Sequence, residues 1–275
     1  MVQEVRTVYL DPDLNMEAYR FKGIMQKFPA HFHEYYVIGF IEEGQRYLVC
    51  QGEEYIINPG DVLIFNPYDI HSCEQIDGKT LDYRCLNITA DVMKKFMYEI
   101  QGNEILPHFQ QNVLAASKLA PSLRELHMTI SQEEKEMKKE ELFLYLLEEL
   151  IQTNSNLPIL PPASEPSYPI KVVCAYLEEH YTQTITLEEL SNLTGWSKYH
   201  LLRSFTQQKG ISPYNYLETI RIHHAKKMLE QGTKPVEVSF LAGFSDQSHL
   251  TKFFKRMIGV TPKQYMKIYQ SKGDI

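Results

Sequence analysis

Short apolar blocks closed by turn-forming residues dominate the first third of the chain. They cover residues 35–41, 47–50, 55–57, 62–65 and 83–88. Glu42-Glu43-Gly44, Gln51-Gly52, Asn58-Pro59-Gly60 and Asp77-Gly78 punctuate them. Many short strands at near-regular spacing predict a sandwich or barrel between about residue 19 and residue 88, not a parallel sheet. From about residue 92 to residue 152 the period becomes helical. Leu119, Leu123, Leu126 and Ile130 mark one helix, and Leu142, Phe143, Leu146, Leu147, Leu150 and Ile151 another. The second is apolar around more than half its circumference, so it either packs on its own barrel or offers a dimerisation face.

Residues 153–169 break the pattern, with five of the chain's 14 prolines among Ser and Asn. Proline fixes φ and withholds an amide hydrogen, so this run reads as a semi-stiff linker. It separates a domain at 1–152 from one at 170–275.

After the linker one arrangement occurs twice. In 186–209, Thr186 and Glu189 have the spacing of a capping box, Gly195 suits the positive φ of a turn, and Ser197 caps a second helix with Leu201, Leu202 and Phe205 inward. Small Ser191, the Gly four later and Leu201 six beyond give a helix-turn-helix its close approach, turn and core plug. In 234–258, Ser239, Gly243 and Leu250 repeat it with a turn one residue longer. A helix from about Pro213 to Glu230, with Tyr216, Ile220, Ala225 and Leu229 inward, joins the two units. Two recognition helices on one connector suit successive major grooves, about 34 Å apart.

Gly243 to Tyr265, GFSDQSHLTKFFKRMIGVTPKQY, with RIHHAKKML at 221–229 and the first unit, resembles the AraC/XylS family of bacterial regulators over about residues 170–270. The resemblance implies an all-α, seven-helix DNA-binding domain that reads double-stranded promoter DNA in the major groove. In the first recognition helix Ser197, Lys198, Tyr199, His200 and Arg203 are the expected DNA contacts, taken to lie toward the exposed side. Arg203 suits guanine O6 and N7, and Tyr199 a thymine methyl or the backbone. Leu202 stands where such regulators usually carry a polar residue. In the second helix Gln247, Ser248, His249, Lys252, Lys255 and Arg256 are the outward set. Gln247 and Ser248 are expected at base edges; Lys252, Lys255 and Arg256 are expected mainly at phosphates.

Charge adds to this picture. Residues 168–275 carry 14 Lys/Arg against 9 Asp/Glu, a net +5, which leaves −12 on residues 1–167 of a chain whose total is −7. Such asymmetry points one half at a polyanion. Hydrophobic content of 43% with 23% charge is that of an ordinary globular protein. No apolar run approaches the roughly 18 residues of a membrane span, and the first residues do not read as a signal peptide, so a cytoplasmic protein is expected. Cys50, Cys73, Cys85 and Cys174 form no C-x-x-C pair and read as reduced structural thiols.

The front half holds the remaining chemistry, HFHEYYVIGFIEEG followed by NPGDVLIFNPYDIHS. His31, His33 and His71 with the P-G-D turn resemble the small cupin-like β-barrel fused to many AraC-type regulators. Metal-binding cupins add a Glu four or five residues after the H-x-H pair. Here those positions are Val37 and Ile38, and His71 follows Pro67 by four residues where the pattern has five. The leading expectation is therefore a small-molecule pocket lined by some of His31, His33, Tyr36, Arg46, Tyr47, His71 and Tyr83. Three imidazoles holding Zn²⁺ remain an alternative, as do histidines that serve only the barrel. The sequence thus predicts a two-domain α+β regulator, a cupin-like β-barrel with helices followed by an all-α domain with two helix-turn-helix motifs. The expected partners are promoter DNA, a small-molecule effector, a second copy in a homodimer and RNA polymerase, with activation favoured by resemblance. No cofactor, membrane contact or catalysis is expected. A constitutive regulator with a structural barrel, a metal- or pH-sensing barrel, and a metal-dependent enzyme that binds DNA are the rivals.

Overall fold

The computed structural model describes residues 4–76, 78–132, 137–157, 168–258 and 260–270. The chain forms two compact units, 1–161 and 162–275. Most of the proline-rich segment, residues 158–167, lies outside the described residues.

The first unit is built from β1 (Val5–Asp11), β2 (Met16–Ile24), β3 (Phe28–His31), β4 (Tyr36–Glu43), β5 (Arg46–Cys50), β6 (Glu53–Ile57), β7 (Val62–Phe65), β8 (His71–Gln75) and β9 (Leu81–Ile88). These are followed by α1 (Ala90–Gln101), β10 (Val113–Leu114), α2 (Ala120–Ser131) and α3 (Met137–Asn154). Two antiparallel sheets result, ordered β1-β2-β9-β4-β7-β10 and β3-β8-β5-β6. The apolar run of β4 is continuous because both of its faces are covered. Val37 and Ile41 face the other sheet in a core with Leu48, Ile57, Leu63 and Phe65. Their neighbours Tyr36, Ile38 and Phe40 are equally buried, and α2 packs against β4 and β9. This is the cupin-like β-domain that the strand pattern predicts.

Helix α2 is tied down by polar contacts as well as packing. The Arg124 guanidinium forks onto Glu42 (Nε–Oε1 2.9 Å, Nη2–Oε2 2.8 Å) and lies 5.2 Å over the Phe40 ring. His127, fully buried, places Nε2 2.9 Å from the Tyr19 carbonyl oxygen. Buried Lys139 of α3 donates to Asp11 at the end of β1 (2.5 Å) and to Asp13 in the turn after it (2.7 Å). The apolar positions of α3, Phe143, Leu144, Leu146, Leu147, Leu150 and Ile151, are all buried within this unit. Helix α3 is covered within its own unit, where it packs against α1 and α2.

The second unit contains seven helices among its described residues. They are α4 (Tyr168–Glu179), α5 (Leu187–Thr194), α6 (Lys198–Lys209), α7 (Pro213–Glu230), α8 (Pro235–Leu241), α9 (Gln247–Ile258) and α10 (Pro262–Gln270). The start of α5 is a complete capping box, with Thr186 Oγ1 accepting from Glu189 N at 3.1 Å and Glu189 Oε2 accepting from Thr186 N at 2.7 Å. Gly195 ends the helix at φ +70°. In α7, Ala225 and Leu229 are buried as predicted, but Tyr216 and Ile220 are only half-buried. The inward face is carried by Tyr214, Leu217, Glu218, Arg221 and Ile222, a rotation that places an ion pair on the buried side.

Candidate functional site

In the first unit the two sheets form a half-open pocket of about 290 Å³ with mainly apolar and aromatic walls. His31, His33, His71 and Tyr83 from the expected set line it, together with Tyr19, Phe21, Phe28 and Tyr35. The other three are elsewhere. Tyr36 is buried on the far side of β4 and donates its hydroxyl to the Pro107 carbonyl (2.8 Å). Arg46 is fully buried, but its guanidinium donates to the carbonyl oxygens of Gln45, Lys79 and Ile24, so it ties the end of the barrel instead of meeting a ligand. Tyr47 follows Arg46 on the opposite face of β5, where alternation turns it out of the pocket. The aromatic residues of β2 and β3 were missed because those strands carry no apolar block. Their only sequence signal is Tyr19 and Phe21 at period two.

The three imidazoles are gathered by separate elements. His31 ends β3, His33 follows it, and His71 opens β8 beside His31 in the β3–β8 register. The turn before β8 is locked by Asp69, whose Oδ2 accepts from Asn66 N (2.9 Å) and Asn112 Nδ2 (2.9 Å). His71 then stacks on Phe65 with centroids 3.9 Å apart and rings tilted by 8°. Its Nδ1 lies 2.9 Å from the Asp69 carbonyl, and His31 Nδ1 lies 2.7 Å from that of Pro29. Burial lowers the His71 pKa to about 4. It also lowers that of His33, to which the neighbouring His31 adds. Both rings are thus neutral at pH 7. Burial lifts the Cys73 and Cys85 thiols to about 11 and about 12, so both thiols lining the pocket are protonated and weakly nucleophilic. The Tyr83 hydroxyl is buried beside Cys85 with no conventional hydrogen-bond partner. It sits where a side chain at Gly39 would be, since a Cβ there would approach within 2.4 Å.

In the second unit each recognition helix starts at a side-chain cap. Ser197 Oγ accepts from His200 N (3.2 Å) before α6, and Asp246 Oδ1 accepts from His249 N (2.8 Å) before α9. The outward stripe of α6 differs from the one expected. Lys198 and Tyr199 are buried, because the first turn of α6 packs against the rest of the unit; the Lys198 ammonium lies 4.0 Å from Glu188. Tyr199 instead seats Arg203, whose Nη1 donates to its hydroxyl (3.0 Å) with the guanidinium 5.8 Å over the ring. Ser197, His200 and Arg203 are half-buried, and Trp196, edge-on to His200 at 4.7 Å, joins their stripe. Leu202 is fully buried. On α9, Gln247, Ser248, Lys252 and Lys255 are exposed along one face with half-buried Thr251. His249 is not outward: it is buried against the Phe244 and Phe253 rings. The Arg256 side chain lies outside the described residues.

The loop before α5, the connecting helix α7 and the Gly243 turn meet at one carbonyl. Tyr181 O, between α4 and α5, accepts from Arg221 Nε of α7 (2.8 Å). The Gly243 turn of the second unit rests on the same oxygen, where a Cβ would approach within 2.6 Å. Arg221 also donates to Gln183 O (2.9 Å) and pairs with buried Glu218 (3.0 Å). The Tyr181 ring stacks on His224 at 3.9 Å. Helix α10 closes the unit, with Tyr265 donating to Glu230 at 2.6 Å.

Residues 13–147 match the model of the AraC-like ligand binding domain, and residues 190–268 that of a helix-turn-helix domain. An uncharacterised HTH-type transcriptional regulator of Bacillus subtilis (strain 168), YbfI, is 64% identical over 250 residues, 91% of each chain. An HTH-type regulator of Staphylococcus aureus (strain COL) is 36% identical over 97 residues, 35% of this chain but only 13% of that protein. Among solved structures, the DNA-binding domain of AdpA in complex with a target DNA is 28% identical over 38% of this chain and 95% of that one, with a TM-score of 0.36. Fatty-acid-bound ToxT of Vibrio cholerae is 15% identical over 97% of both chains, with a TM-score of 0.38. No helix among the described residues is long and apolar enough to cross a membrane.

Proposed function

The chain belongs to the AraC/XylS family of helix-turn-helix transcriptional regulators, and from that premise we propose that it reads promoter DNA through α6 and α9 and is controlled by a small molecule held in the barrel pocket. The observation that carries the reading is the pairing, in one chain, of two recognition helices that each start at a side-chain cap with an aromatic-lined pocket. On α6 the reading stripe is Trp196, Ser197, His200 and Arg203. On α9 Gln247 and Ser248 approach base edges, while Lys252 and Lys255 meet phosphates. The effector has a largely apolar body, to suit the walls, and a polar group for the Tyr83 hydroxyl or the imidazoles. It biases two arrangements of the DNA-binding units in a cytoplasmic homodimer and thereby changes contact with RNA polymerase; activation is the favoured sign.

The test is binding of the purified chain to its own upstream DNA across a salt series. Affinity falls log-linearly with salt as phosphate-bound counterions are released. Arg203→Ala weakens the specific complex by about 1–3 kcal/mol and relaxes preference at one base pair. Lys252→Ala weakens all sequences alike and lowers the salt slope by about 1. Binding that ignores both salt and Arg203 would sink the reading. A metabolite panel tests the effector, since a ligand that binds only the folded state raises the melting temperature. A flat response leaves the barrel a scaffold.

A further inference from the structure

We propose that His31, His33 and His71 form a binding site for a divalent transition-metal ion in the wall of the barrel pocket. The inference deepens the effector reading and rests on it for its regulatory consequence, although ion binding can be measured without DNA.

Proximity is the first argument. The ligating nitrogens of the three rings all lie within 4.8 Å of one another, and the ring centroids are 4.9, 4.4 and 5.2 Å apart. Bonds of about 2.0–2.1 Å from imidazole nitrogen to zinc place tetrahedral ligands a little over 3 Å apart. Closing the remaining distance would require the half-buried His33 ring to turn toward the other two when an ion binds.

Orientation is the second. The Nδ1 atoms of His31 and His71 are both engaged by backbone carbonyls, at 2.7 and 2.9 Å. A carbonyl accepts only, so each ring donates from Nδ1 and keeps its lone pair on Nε2. A second nitrogen anchored in this way is how proteins fix the tautomer and aim of metal-bound histidine. His71 is further clamped on Phe65, and His33 stacks on Tyr35 at 4.9 Å and 15°.

The donor set selects the ion. Three imidazole nitrogens suit zinc, cobalt, nickel or copper and not magnesium or calcium, which demand oxygen. The apolar Val37 lines the pocket beside them, and the Asp69 carboxylate is committed to Asn66 and Asn112. The protein therefore supplies three ligands and leaves a further position open to the aromatic cavity, where water or an effector heteroatom completes the shell.

The experiment uses the full-length chain, stripped with a chelator and titrated with Co²⁺ alone. One Co²⁺ per chain is expected, with the visible absorption of a low-coordinate cobalt centre. His33→Ala, at the less buried ligand, abolishes stoichiometric binding while far-ultraviolet circular dichroism stays unchanged. His33→Cys restores binding with a thiolate-to-cobalt charge-transfer band. Wild type that retains no ion after gel filtration, or His33→Ala that binds as wild type does, overturns the proposal. Failure in this titration with intact DNA binding removes only the metal site. A filled metal site with no DNA binding removes only the regulatory reading.

Discussion

His127 shows what one buried side chain does to the pH response of the first unit. Burial outweighs its hydrogen bond to the Tyr19 carbonyl and lowers its pKa from 6.5 to about 4. The unfolded chain therefore binds a proton in a range where the folded chain does not. By linkage, stability is full above pH 6.5 and is lost as pH falls toward about 4. A shift of this size is worth roughly 3 kcal/mol. Urea titrations at several pH values should show this acid slope in the wild type, and His127→Gln should flatten it. An equal slope in the variant would assign the effect to other groups. Nothing in the sequence singled out His127, because a lone histidine at a helical step carries no periodic signal. Arg46 teaches the complementary lesson. Residue type alone offered it as an anion ligand, but its guanidinium is taken up by the adjacent Gln45 carbonyl and by two carbonyls distant in sequence, those of Ile24 and Lys79.

Elements were legible where local chemistry closes on itself. The capping box at Thr186, the turn at Gly195 and the cap at Ser197 involve partners three or four residues apart, so the first helix-turn-helix could be read directly. Strands β1, β3 and β8 were not legible, because an edge strand and a polar pocket wall need no apolar alternation. The two turn glycines look alike in sequence and differ in space. Gly195 at φ +70° has open space where a Cβ would stand, so Gly195→Ala costs only the left-handed backbone, about 1 kcal/mol. Gly243 at φ +83° would also drive a Cβ into Tyr181 O and Thr182 Cα, at 2.6 and 2.8 Å. Gly243→Ala should therefore add about 1–3 kcal/mol of overpacking. Chemical denaturation of the two variants gives the comparison directly, and equal losses would mean that the turn relaxes away from the carbonyl.

At the scale of the molecule, the split of −12 and +5 between the halves was visible in composition, and the sequence separated barrel from helical domain at the proline-rich run. Composition could not show which cationic and polar groups share a face. The α9 stripe emerges only once His249 turns inward and leaves Gln247, Ser248, Lys252 and Lys255 outside. Hydroxyl-radical footprinting should show two protected segments about one helical turn apart. Arg203→Ala should fade one segment, and the double change Lys252→Ala with Lys255→Ala the other. Loss of both together in either variant would mean that the units do not read separate segments. On the proposed reading, the junction at Tyr181 O, where Arg221 and the Gly243 turn meet, would help to fix the distance between α6 and α9. A base pair inserted between the two segments turns the second by about 35° around the duplex axis. If α6 and α9 keep their spacing, the misfit would become torsional strain in the nucleic acid. On that reading, selection of binding sites would be governed by how readily the intervening steps overtwist, including base pairs that no side chain touches.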